Sequence, residues 1–229
     1  MQIKNNKIKQ LPLIIGMAIS GMVLIPQNCS ATYLTADYGI GEDLYLKVDG
    51  VESAHWAGSI KIDVDGSHRI ALCVDLFTMM NVNQAYGTNL GLSGQINNGG
   101  RVAWLLDNEL PVLHSASELA GLQLAIWDIV SDNGNGLSSG RIQAPTLHST
   151  DVFAMAGARS LIALSAGKSS TDGIVYSNFN LSTGGKVQTL MGVPDVINNH
   201  SGIPEPQSFV MIGIGGLAGL WLKLKLKRK

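Results

Sequence analysis

The chain has 229 residues, of which 14% are charged and 6% are aromatic, and it contains 27 glycines. This length and composition indicate one loop-rich domain of the β or α+β class and exclude a coiled coil and a disordered chain. Although the formal net charge is only −1, residues 32–204 contain eight basic and sixteen acidic side chains, a balance of −8. Nucleic-acid binding depends on clustered Lys and Arg, so this acidic middle argues against nucleic acid as a partner.

The first 31 residues have the three parts of a secretory signal peptide. Three lysines precede an apolar run from Leu11 to Ile25, and Cys29, Ser30 and Ala31 follow with small side chains. We therefore predict cleavage by signal peptidase after Ala31 and export of the remaining chain. An uncleaved membrane anchor is the alternative, but the run is shorter than the ~20 residues that a spanning helix needs.

Two segments with alternating apolar residues, HWAGSIKIDV (55–64) and RIALCVDLF (69–77), predict β-strands. The Asp-Gly pair between them predicts a tight turn, so the two strands are expected to form a hairpin. The segment that contains this pair, DVDG (63–66), is similar to part of a calcium-binding loop. The other ligand positions of such a loop are missing, and a turn is the better interpretation.

Cys73 lies on the second of these strands and is the one cysteine that remains after the predicted cleavage. Exported proteins usually pair their cysteines in disulfides, so a single cysteine indicates an intermolecular bridge or a functional thiol. The alternation predicts that Cys73 shares a face of the strand with Ala71 and Phe77. Burial as a small apolar side chain is the alternative interpretation.

Apolar periodicity predicts three helices and two further strands after this hairpin. The best-marked helix begins with a capping box formed by Ser115 and Glu118 and ends at Asn133-Gly134. The predicted helices lie at 99–109, 115–134 and 148–167, and the further strands at 173–181 and 185–191.

Gln123 is the anomaly of the second helix, because it falls on the apolar stripe that Leu119, Ile126 and Val130 form. An unpaired buried amide costs about 1–3 kcal/mol, so Gln123 must have a partner. A thiol on a neighbouring strand can attack the carboxamide carbon, release ammonia and leave an internal thioester between Cys73 and Gln123. The reaction needs proximity, donors for the tetrahedral oxyanion and exclusion of water.

The segments around these two residues resemble the paired motifs of bacterial thioester domains. LCVDL (72–76) and LQLAIWDIV (122–130) carry the resemblance, and RVAWLLDN (101–108) resembles the helix between them. The chain departs from the motifs at Leu72, where the family usually has Tyr or Phe, and at Leu122, where its adhesins have Thr. The matching positions are Cys73, Gln123, Ala125, Ile126 and Trp127, with Asp75 as a motif neighbour.

The resemblance extends over most of residues 55–192 and implies an α+β fold, a mixed β-barrel or sandwich with a few packed helices, in a domain at 32–192. It implies a covalent trap that acts once and not an enzyme with turnover, without a cofactor or metal. A nucleophile of a surface protein or of an amine- or hydroxyl-bearing polymer, usually a lysine amine, would become fixed to Gln123 while Cys73 is released. The implied role is adhesion or crosslinking of a biofilm matrix.

The C-terminal segment, IPEPQSFVMIGIGGLAGLWLKLKLKRK (203–229), follows a linker at 193–202. It combines Pro204-Glu205-Pro206, an apolar stretch at 209–222 and a basic tail that favours the cytoplasmic side. It resembles the PEP-CTERM sorting signal of Gram-negative bacteria, with Ile in place of the usual Val and lysines largely in place of arginines. The resemblance implies a transient inner-membrane anchor, processing by an exosortase and release to the cell surface or matrix. A plain single-span anchor is the alternative.

Two other functions compete with the thioester. A cysteine protease or transferase would need a histidine beside Cys73, and none of the five histidines has a local setting that singles it out. A non-covalent structural or polysaccharide-binding module would keep the fold without the bond, with Gln123 hydrogen-bonded in the core and Cys73 inert.

Overall fold

Six antiparallel strands close into a barrel in the computed structural model, which describes residues 32–144 and 152–194. The strand order is β2-β3-β7-β6-β4-β1, and β1 pairs again with β2, which closes the barrel, while the short β5 adds to the far end of β1. The strands are β1 (Thr32–Val48), β2 (Val51–Val64), β3 (Ser67–Cys73), β4 (Ala85–Leu92), β5 (Ile142–Gln143), β6 (Ile174–Asn180) and β7 (Leu190–Gly192).

The described strands pair only in the antiparallel sense. The resemblance implied a mixed sheet, and this part of the expectation is wrong, whereas the barrel and the α+β class are confirmed. Strands that neighbour each other in the chain can pair antiparallel through short turns, and the turn between β1 and β2 has only two residues.

The longest strand, β1, is absent from the predicted elements. Its buried side chains alternate with exposed ones in each half, and the alternation breaks at a bulge between Tyr38 and Gly41. Gly58 lies opposite the bulge with a φ of 156°, and a Cβ there would collide with the backbone of Ile40 and Gly41. The close approach of the two strands therefore requires glycine at 58.

The predicted hairpin of β2 and β3 is confirmed, with a two-residue turn at Asp65 and Gly66, whose φ angles are 49° and 83°. The predicted extent of the second strand is wrong, because β3 ends at Cys73 and not at residue 77. Asp75 turns the chain there by accepting hydrogen bonds from the Phe77 N–H and the Thr78 hydroxyl. Phe77 therefore does not share a strand face with Cys73.

The predicted helices are present as α1 (Gly99–Asn108), α2 (Ala116–Asp132) and α3 (Val152–Leu164), with single-turn 3-10 helices at Ser93–Gln95 and Leu110–Val112. The capping box of Ser115 and Glu118 is formed, and Asn133 ends α2 in the left-handed conformation with a φ of 61°. The last predicted strand is shorter than expected, since β7 begins only at Leu190.

The helix α2 lies between the barrel strands β1 and β2 and the helix α3. As a result, every residue from Leu119 to Ile129 is buried, and the expected single inward stripe is an incomplete description. Gly121 allows the close approach of α3, since a Cβ at this position would lie 2.9 Å from the carbonyl oxygen of Ala154. The helix is therefore a rigid, dry support for the side chains that it presents to the barrel.

Several predicted segments lie outside the described residues. These are the signal peptide at 1–31, the first residues of the predicted helix at 148–167, most of the linker, and the sorting motif with its apolar stretch at 209–222. Within 32–144 and 152–194, the helices are too short or too polar to cross a membrane.

Candidate functional site

The site lies where the ladder between β2 and β3 stops. The last pair of this ladder is Ile60 with Ala71, and its continuation would place Gly58 opposite Cys73. The chain at Gly58 is instead drawn into the bulge with β1, so the backbone edge of Cys73 that faces β2 has no strand partner. A buried backbone edge of this kind needs hydrogen bonds from another source.

Gln123 of α2 supplies these hydrogen bonds. Its Oε1 accepts from the backbone N–H of Cys73 at 2.9 Å, and its Nε2 donates to the carbonyl oxygen of Cys73 at 2.7 Å. The carboxamide thus replaces a neighbouring strand, and it is held by both of its polar atoms. Gln123 is 1% exposed and Cys73 is 3% exposed, so the pair lies in the core.

On its other edge, Cys73 pairs with Leu190 of β7. One residue further on, the N–H of Val74 donates to the carbonyl oxygen of Thr189 at 3.0 Å. Cys73 is therefore fixed from both sides, although it is the last residue of its strand. A nucleophile and an electrophile that are each held by two or more contacts lose little further freedom on reaction.

The sulfur of Cys73 lies in a dry environment. Burial raises the pKa of the thiol to about 12, against the smaller opposing effects of the Trp127 indole N–H, the Asp75 backbone N–H and the Gln188 side chain. The thiol is therefore protonated at neutral pH, and the described cysteine forms no disulfide. Its reactivity depends on position and not on a preformed thiolate.

The indole Nε1 of Trp127 is buried and makes no hydrogen bond of ordinary geometry within the described part of the chain. It lies close enough to the sulfur to favour the thiolate form of Cys73. A buried N–H without an acceptor is unfavourable by about 1–3 kcal/mol unless a charge develops beside it. Trp127 can thus stabilise negative charge on the sulfur during a reaction.

A cleft of about 290 Å³ opens beside this buried pair. Its lining includes Asp75, two residues after the cysteine, and residues at the end of α2. Cys73 and Gln123 themselves do not line it. The lining residues are Val74, Asp75, Phe77, Gln95, Ile96, Asn97, Val130, Ser131, Arg141, Lys186 and Thr189.

The carboxylate of Asp75 is largely buried and faces this cleft. It accepts hydrogen bonds from Lys186 Nζ at 2.9 Å, from Thr78 Oγ1 at 2.8 Å and from Phe77 N–H at 3.1 Å. Desolvation acts to raise the pKa of Asp75, but these hydrogen bonds and the Lys186 charge together hold it below its usual value. Asp75 is therefore a carboxylate at neutral pH.

The remaining motif residues lie in the hydrophobic core. Ala125 and Ile126 are fully buried, and so are Leu72 and Leu122, the two positions at which the chain departs from the motifs. These leucines pack in the core and lack the hydroxyl group that Tyr at 72 or Thr at 122 would have. Pro204, Glu205 and Pro206 lie outside the described residues.

The histidines proposed for an alternative cysteine chemistry have other partners where they are described. The ring of His55 bonds to Ser53 Oγ at 2.8 Å, and that of His68 lies 3.1 Å from Asp63. Three cleft residues that sequence reasoning did not single out are Lys186, Thr189 and Arg141. Each reaches the site through a contact of long sequence separation, for which the sequence contains no local pattern.

The sequence matches no known family model and no curated protein. Among solved structures it is similar to the N-terminal domain of the Streptococcus pyogenes pilus tip adhesin Cpa, with 13% identity and a TM-score of 0.43. The alignment covers 72% of this chain and 93% of that one. A TM-score of this size assigns no function.

Proposed function

We propose that Cys73 and Gln123 form an internal thioester and that the protein uses this bond to capture a nucleophile covalently. The observation that carries this proposal is the position of the Gln123 carboxamide, which rests on both backbone groups of Cys73 at 2.9 and 2.7 Å. It supports the proposal because the carboxamide is fixed against the backbone of the residue that carries the thiol, and both side chains are buried.

Bond formation requires no outside reagent. The Cys73 sulfur attacks Cδ of Gln123, the C–N bond breaks, and the thiol proton leaves with the amide nitrogen as ammonia. The backbone N–H of Cys73 already donates to Oε1, where the tetrahedral intermediate places its negative charge. The carbonyl group of Cys73 orients the departing nitrogen through its hydrogen bond with Nε2.

In the capture step the carbonyl carbon of Gln123 is again the electrophile, and Cys73 becomes the leaving group. An amine attacks the thioester carbonyl, the C–S bond breaks, and the amine becomes an amide of Gln123 while its proton passes to the Cys73 sulfur. The chain is consumed in this step, so it acts once and is no enzyme with turnover. Burial of both residues protects the bond from hydrolysis until a suitable nucleophile enters.

The setting for this chemistry is proposed from the ends of the chain. A signal peptide at 1–31 and an exosortase motif at 204–206 suit a protein that is exported, held briefly at the inner membrane and then released. The targets would be lysine amines of a neighbouring surface protein, or an amine- or hydroxyl-bearing polymer. Adhesion or crosslinking of a biofilm matrix is the corresponding role.

A second function has its own support. The two hydrogen bonds of Gln123 also satisfy its buried amide without any reaction, as a purely structural module would require. In addition, the rings of Tyr38 and Trp56 lie 4.6 Å apart, and Tyr38 is 52% exposed. Paired rings of this kind can stack on sugars, so a non-covalent polysaccharide-binding module is the alternative.

A labelled amine separates the two functions. When the purified full chain is incubated with a biotinylated primary amine, we expect one stable adduct, and peptide mapping should place it on Gln123. Cys73→Ala and Cys73→Ser should give no adduct, because neither variant contains a thioester. Gln143→Glu, a change to a glutamine of β5 outside the site, serves as the matched control and should label like the wild type.

Labelling that is absent in the wild type, or that persists in Cys73→Ala, would contradict the covalent function. Binding to a polysaccharide that survives Cys73→Ala unchanged would instead support the non-covalent module.

A further inference from the structure

The cleft beside the buried pair is lined by Val74 and Asp75, the two residues that follow Cys73 in the chain. Asp75 connects the cleft with the pair, because its backbone N–H faces the Cys73 sulfur and its carboxylate lies in the cleft. Its side chain is only 15% exposed, so the carboxylate itself is largely removed from water. Val130 gives the same cleft apolar wall area, and the Arg141 guanidinium lies over the Phe77 ring, 3.8 Å from the ring centre.

Lys186 already occupies this carboxylate. It lies in the connection between β6 and β7 and places its ammonium group 2.9 Å from Asp75 Oδ2. The Lys186 side chain is 68% exposed, so it reaches the carboxylate from the solvent side of the cleft. Ion pairs with one exposed partner are weak, typically below about 1 kcal/mol, and they open easily.

We propose that Asp75 binds the ammonium group of an incoming primary amine and that Lys186 is an internal competitor which must leave Asp75 first. The proposal rests on the thioester between Cys73 and Gln123. It makes Asp75 a specificity-determining residue that favours cationic amines on flexible apolar stems, such as a lysine side chain. Neutral nucleophiles gain nothing from the carboxylate.

The proton balance of this step can be met by the site. The bound ammonium loses one proton to water, and the resulting amine attacks Cδ of Gln123. When the C–S bond breaks, the second proton passes from nitrogen to the departing thiolate. Since burial raises the pKa of the Cys73 thiol to about 12, this thiolate is a strong base and takes up the proton readily.

The experiment compares a cationic with a neutral nucleophile on the purified full chain. Intact mass first establishes that the wild type, Lys186→Gln and Asp75→Asn each lack one ammonia. Rates of adduct formation are then measured with n-butylamine, which is mostly protonated at neutral pH, and with methoxyamine, which is not. Lys61→Gln on β2 and Asp107→Asn on α1, both exposed and outside the cleft, are the matched controls.

Lys186→Gln is expected to raise the butylamine rate by roughly two- to fivefold, and Asp75→Asn to lower it by up to about fivefold, with the methoxyamine rates unchanged. The two controls should alter neither rate. If a variant changes both nucleophiles by the same factor, or changes neither, the assignment of Asp75 is overturned and the thioester stands. A wild type without ammonia loss overturns both proposals.

Discussion

Opening of the thioester with methylamine is expected to lower the midpoint of thermal unfolding by about 8–16 °C. The bond joins residues 50 positions apart, Cys73 on the barrel and Gln123 on the central helix. A cross-link that closes a loop of this length stabilises a protein by about 4 kcal/mol in the chain-entropy treatment. For a domain of this size, each kcal/mol corresponds to about 2–4 °C.

Calorimetry or circular dichroism of treated and untreated protein measures this shift. Cys73→Ala provides the reference without a bond, and it should unfold at a similarly reduced temperature with no response to methylamine. Cys73→Ser keeps a side chain of nearly the same size, so it separates loss of the cross-link from loss of packing. A wild type that unfolds at the same temperature as both variants would show that no cross-link is present.

Gln123→Glu should abolish the bond and destabilise the domain further than Cys73→Ala does. A carboxylate has no amine leaving group, and it cannot donate a hydrogen bond to the carbonyl group of Cys73 as Nε2 does. Loss of that buried hydrogen bond costs about 1–3 kcal/mol beyond the loss of the cross-link. Urea unfolding of the variant, compared with Cys73→Ala and with Gln143→Glu as the control, measures the difference.

In a variant without the thioester, the free thiol of Cys73 makes the stability of the domain depend on pH. Its pKa of about 12 in the folded chain lies above the reference value of 9.0, so the buried neutral thiol contributes full stability below pH 9. That contribution is lost as the pH rises from about 9 towards 12, because only the unfolded chain ionises readily there.

Because the thiol is buried and protonated, iodoacetamide should modify Cys73 of Gln123→Glu after unfolding but not in the native state at neutral pH. Rapid native alkylation would contradict the buried site.

The sequence predicts the parts of this site that have local determinants. The capping box and the Asn133 end specify α2, and the Asp-Gly turn specifies the hairpin that carries Cys73. Because an inward amide needs a partner, the pattern also led to Cys73 as the partner of Gln123. In the structure, the Gln123 carboxamide is hydrogen-bonded to the backbone N–H and carbonyl groups of Cys73.

Other features depend on contacts that no local pattern encodes. The end of the β2–β3 ladder is set by the bulge of β1 against Gly58, and β1 itself has a glycine-interrupted alternation that did not predict a strand. The apolar stripe on α2 predicts one buried face, whereas the helix contacts both the barrel and α3 and is buried on both sides. Asp128 of the same helix is fully buried, and the N–H groups of Gly136 and Leu137 satisfy its carboxylate.

Intact-mass spectrometry of freshly purified protein tests the thioester most directly. The wild-type chain should be lighter than its sequence requires by one ammonia, and methylamine should convert it to a species one methylene heavier than its sequence requires. Cys73→Ala and Gln123→Glu should both have the full masses of their sequences. A wild type with the full mass of its sequence, and with a Cys73 thiol that is alkylated after unfolding, would contradict the thioester.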